Sequence, residues 1–161
     1  MTNFIRRYQI VLVLFVAFVF VQSLFFKFSD SPETQYIFGT LDAWAGGLGF
    51  AGLFAPSGIF SQYVVGSAEL VASALLLASL MPPLRFLRPY AALLSLGVIS
   101  GAIFFHLFTP LGVSVLNTDG SHDGGLLFAM ACGVWLASAL LIWTNRHLVA
   151  LPGGLRRAIA A

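Results

Sequence analysis

Four long apolar runs alternate with polar stretches along the chain. They extend roughly from Tyr8 to Phe28, from Gln62 to Met81, from Pro89 to Thr109 and from Gly124 to Trp143. A helix needs about 20 mostly apolar residues to cross the hydrocarbon core of a bilayer, and each run meets that length. The pattern predicts an all-α membrane protein, a bundle of four transmembrane helices forming a single domain over residues 1–161. The first run also opens like a secretion signal, with Arg6 and Arg7 ahead of it and Val21-Gln22-Ser23 resembling a peptidase site. The apolar run continues past that point into Leu24, Phe25 and Phe26, which favours a retained span.

The connections are unequal. Between the second and third runs there is only a short turn carrying Pro82 and Pro83, whereas 29–61 separates the first two runs. A structureless loop of that length is unusual. Ser31-Pro32-Glu33 reads as a helix start, with serine at the N-cap and proline at the first helical position. Ile37, Leu41 and Trp44 then share one face of the helix that follows. The glycine-rich stretch from Gly46 to Phe60 is too broken to span, and reads as an interfacial or re-entrant cover over the bundle. Within the third and fourth runs, Gly97 and Gly101, and Gly125, Ala129, Gly133 and Ala137, recur every four residues. Such spacing predicts seams where helices approach closely.

Composition agrees with this pattern. Hydrophobic residues make up 59% of the 161 and charged residues 9%, against roughly 25% charged in an average soluble domain. The net charge of +2 gives no nucleic-acid surface, because the basic residues are not gathered into a stripe. They act instead as orientation signals. Arg6 and Arg7 precede the first run, Arg85 and Arg88 lie between the second and third, and Arg146, Arg156 and Arg157 follow the fourth. All seven arginines therefore fall on one side, which the positive-inside rule makes cytoplasmic, with both termini. Asp30, Glu33, Asp42, Asp119 and Asp123 fall on the other, together with the one lysine, Lys27. The one cysteine, Cys132, excludes an internal disulfide and a C-x-x-C redox centre.

Polar residues inside the apolar runs carry the candidate chemistry. Glu69 lies about 10 Å into the second run, where a carboxylate costs on the order of 3 kcal/mol. His106 sits in the outer third of the third run among phenylalanines, Gln22 and Lys27 near the outer end of the first, and Asp123 at the mouth of the fourth. The five suggest one polar layer in the outer half of the bundle, with Glu69 and His106 as catalytic candidates and Gln22, Lys27 and Asp123 as ligand-binding ones. Each also has a plainer reading. Lys27 can snorkel, Asp123 can cap a helix, His106 can bond a backbone carbonyl, and Glu69 can join two helices. His106, His122, Asp119 and Asp123 lack the spacing of a metal site, so none is assigned. Gly46-Gly47-Leu48-Gly49 is on the wrong side for a cytoplasmic nucleotide.

The outer end of the first run, LFFKFSDSPETQYIFGTL, the second run YVVGSAELVASALLL, the third run GVISGAIFFHLFTPLGV and the opening of the fourth, DGGLLFAMA, together resemble the DoxX-like family of four-helix bacterial inner-membrane proteins. The resemblance covers roughly Val21 to Trp143. It matches the lysine after an aromatic pair, the glutamate, the histidine and the aspartate before two glycines, in order. It implies a subunit of a membrane oxidoreductase system that interacts with a quinone or another small ligand. Glu69 would then move a proton, His106 would bond a quinone carbonyl, and Lys27 and Asp123 would gate the mouth. An accessory or assembly subunit that binds another membrane or redox protein, or a second copy of itself, is the alternative. A proton-coupled transporter is a third reading, and one chain of four helices lacks the paired inverted repeats it would use.

Overall fold

The computed structural model describes residues 3–117 and 119–149, and only the backbone of 3–7. Five α-helices follow in order, α1 (Asn3–Phe28), α2 (Pro32–Gly47), α3 (Gln62–Ala78), α4 (Leu87–Phe108) and α5 (Leu126–Asn145), with short 3₁₀ turns at Pro82–Leu84 and Arg146–Leu148. Among the described residues no strand forms, and the loop between α4 and α5 holds a single bridge, Leu116 to His122. Three helices, Tyr8–Phe28, Leu87–Phe108 and Leu126–Leu148, are long and apolar enough to cross a membrane, and Gln62–Ala78 is apolar but shorter.

Helices α1, α3, α4 and α5 pack in a ring, each touching two neighbours. Inside it lies an apolar core of Val13, Val16 and Phe20 from α1, Leu76 from α3, Ile99 from α4, and Val134 and Leu141 from α5. The outer surface is apolar as well, with Phe18 65% and Trp143 70% exposed. A surface of this kind fits lipid rather than water.

The small-residue seams are corrected in part. Gly133 does lie against α1, where a Cβ would stand 3.0 Å from the Phe15 ring, but Gly97 faces open space and Ala129 is exposed. The stripe on α4 points outward, because α4 turns the face of Ala91, Ala92, Ser95 and Ile99 to the core instead. Helix boundaries also move. Helix α4 starts two residues before Pro89, and α3 ends three before Met81.

The stretch between α1 and α3 is folded. Ser31 caps α2 by accepting from the Thr34 amide, with Pro32 in the first turn. Leu41, Ala45 and Phe54 join Leu111 and Val115 in a second core, flanked by Ile37, Trp44 and Phe105. The Phe54 and Phe105 rings meet edge to face at 5.1 Å. Asp42 accepts the Phe54 amide at 3.0 Å and ties α2 to the 48–60 segment. This layer closes one end of the ring.

Candidate functional site

The second core marks the end of the bundle where the candidate residues gather. Glu69 is 5% exposed, two turns into α3. Lys27, near the end of α1, reaches it with Nζ 2.9 Å from Oε2 and 3.1 Å from Oε1. The Ser23 hydroxyl completes the group, 2.6 Å from Glu69 Oε2 and accepting from Lys27 at 3.1 Å. Ser23 and Lys27 are four residues apart, so both lie on the face of α1 that meets α3. Gly66, one turn before Glu69, leaves room for the lysine stem, since a Cβ there would touch Lys27 Cδ at 3.5 Å. Carboxylate, ammonium and hydroxyl thus satisfy one another between two helices.

The other candidates do not enter this group. Gln22 is exposed on the outer side of α1, because one residue turns the helix by about 100° and Ser23 takes the inward direction. Gln22 lines a shallow groove of about 400 Å³ together with Phe18, Val21, Phe25 and Leu77. His106 is buried, its Nδ1 2.6 Å from the Gly112 carbonyl, which requires the proton on Nδ1. Its ring lies edge-on to Phe128 at 5.7 Å. Asp123 accepts from the amides of Val115, Gly125 and Leu127 at 2.8–3.0 Å. Burial pushes its carboxyl pKa up, but those three amides outweigh it and hold the group below the usual carboxylate value. The neighbouring Asp119 is likewise held low by the hydroxyl and amide of Ser121. Both aspartates shape the loop before α5. The single polar layer therefore resolves into an interhelical ion pair, a histidine fastened to the turn that follows its own helix, a carboxylate that gathers the backbone amides at the start of α5, whose N-cap is Gly125, and an outward amide.

Two further polar clusters escaped the sequence reading. At the candidate end of the bundle, Asp30 takes a left-handed backbone, φ 53°, which aspartate tolerates better than most residues. Its Oδ1 accepts from Tyr63 at 2.8 Å and from the side-chain amides of Gln62 and Gln35, and Gln62 also donates to the Lys27 carbonyl at 2.9 Å. The ends of α1, α2 and α3 are tied together here. At the far end, Arg88 is buried in the first turn of α4. It donates to Gln9 Oε1 at 2.8 Å and to the Ser79 carbonyl at 2.7 Å, linking α1, α3 and α4. The arginine read as an orientation signal is thus also an internal tie. Arg156 and Arg157 lie outside the described residues, as do the side chains of Arg6 and Arg7. Among the described residues no group of three or more His, Cys, Asp or Glu is placed to hold a metal ion.

The fold and surface define an all-helical protein of membrane type. Set against known proteins, the chain matches no family model, no curated protein and no solved structure.

Proposed function

We propose that this is a DoxX-like protein of a bacterial inner membrane that crosses the bilayer four times with both termini cytoplasmic. In this reading it serves a membrane oxidoreductase system as a non-catalytic accessory subunit. The four-span part draws support from α3. One end of that helix meets Lys27 of α1 through Gln62, and the other meets Gln9 through Ser79 and Arg88. It therefore runs beside residues 9–27 of α1, a length of about 27 Å, close to the thickness of a hydrocarbon core. The cytoplasmic placement of the termini follows from the arginines.

The observation that carries the accessory reading is that three members of the polar layer are already engaged within the chain. Glu69 is held by Lys27 and Ser23, His106 by a backbone carbonyl and Asp123 by three backbone amides. Groups so fully engaged hold helices and loops in place. A second reading, a subunit that binds a quinone, is favoured by the groove on α1. Its apolar and aromatic lining with one amide, Gln22, suits a ring bearing a carbonyl.

The test is to purify the protein in native lipid discs with whatever membrane protein accompanies it, and to extract its small molecules for mass spectrometry. Under the accessory reading Glu69→Gln and His106→Ala lower the melting temperature and the yield of the complex, while turnover per complex stays unchanged. Normal melting and yield with lost turnover, or a stoichiometric quinone in the extract, would transfer the role to redox chemistry.

A further inference from the structure

Gln22 is a polar residue of α1 that the bundle does not use. It is exposed on α1, six residues before the helix ends at Phe28, and so lies about 9 Å in from that end. It forms no hydrogen bond among the described residues, in contrast to its neighbour Ser23. In hydrocarbon an amide without a partner is costly, and substitution by leucine would remove the cost. The described residues do not supply the group that would pair with Gln22, whereas a second molecule that reaches the same depth can.

A side-chain amide carries both donors and acceptors, so its simplest complement is another amide. Two copies of one chain in one membrane share their orientation, and the two-fold axis that relates them runs along the membrane normal. That axis sets Gln22 of each copy at the same depth without any further requirement, and the contact is self-complementary. The side chains around Gln22 fit such a contact. Val11, Leu14, Phe18, Val21 and Phe25 are all exposed and alternate at three and four residues, the repeat with which two helices keep a common seam. Beside them Ala17 helps to form a hollow into which the partner's side chains can seat.

We infer that the chain forms a two-fold homodimer through α1, with the Gln22 amides hydrogen-bonded to each other across the axis. The inference does not depend on what the subunit does, only on α1 being in the bilayer.

The test uses the full chain with Cys132→Ala, reconstituted in phosphatidylethanolamine and phosphatidylglycerol vesicles. Phe25→Cys is added for oxidative cross-linking, and in a parallel sample Leu93→Cys, which is exposed on α4. Phe25→Cys should give a covalent dimer and Leu93→Cys should not. Adding Gln22→Leu should reduce the dimer about tenfold at equal protein-to-lipid ratio, the scale of one or two interhelical hydrogen bonds in a membrane. Because residue 22 faces outward, the melting temperature of that variant should not fall. Equal cross-linking at both positions, or a Phe25→Cys dimer untouched by Gln22→Leu, would overturn the inference. So would a monomer that holds a quinone in the groove and releases it in the Gln22→Leu variant.

Discussion

Lys27→Met should cost the protein about 3–5 kcal/mol of stability, the penalty for leaving one member of a buried ion pair without its partner. The side chains of Lys27 and Glu69 are 14% and 7% exposed, so solvent does little to screen the loss. Ser23 can give the carboxylate one hydrogen bond but no charge. Removing both charges should behave differently. In Lys27→Met with Glu69→Leu the desolvation cost disappears with the attraction, and Ser23 still has the Phe20 carbonyl at 2.8 Å as an acceptor. The double variant should recover most of the loss, with a coupling of about 3 kcal/mol between the two sites. Thermal or denaturant unfolding of all four proteins in the same lipid discs measures that cycle. Additive losses would mean that the pair is not coupled and that the helices are held elsewhere.

The second large effect belongs to Gly58. A Cβ at this position would stand 2.3 Å from the Leu53 carbonyl oxygen and 2.4 Å from that of Gly52. Both are backbone atoms, and the Leu53 oxygen is already engaged by the Phe60 amide at 3.1 Å, so neither can step aside. Gly58→Ala should open the 53–60 turn and withdraw Phe54 from the second core, at a cost of about 3 kcal/mol. The damage should be local, with hydrogen exchange accelerating at Phe54 and Phe60 while the amides of α4 and α5 keep their protection. A variant with unchanged exchange across the cover would show that the turn has another way to close.

The architecture was legible where the signal was a long apolar run. α1, α4 and α5 follow from run length, and α2 follows from Ser31, Pro32 and the shared face of Ile37, Leu41 and Trp44. The cover at 48–60 was expected over the bundle, but its packing was not, because Leu53 and Phe54 meet Phe105 and Leu111 from distant parts of the chain. Run length says nothing of rotation about the helix axis, and this is why the polar layer was read as one group. Gln22 and Ser23 are adjacent in sequence yet point in different directions. A signal for Ser23 was present in its four-residue spacing from Lys27, which places the two on one face. No comparable signal joins Asp30 to Gln62 and Tyr63, or Arg88 to Gln9 and Ser79. These partners become neighbours only when the helices close into a ring. Glycine stripes mislead for the same reason. Gly133 meets α1, whereas a Cβ at Gly97 would meet nothing within 4 Å among the described residues.

The proposed topology puts the ion pair in the outer half of a bundle crossing the membrane four times. It is tested most directly by labelling with a membrane-impermeant thiol reagent in intact cells. In a Cys132→Ser background, Ser57→Cys in the cover and Ser121→Cys before α5 should react from outside, and Phe86→Cys between α3 and α4 should react only after permeabilisation. Labelling of Phe86→Cys in intact cells would put both ends of α3 on one face of the membrane and contradict the account.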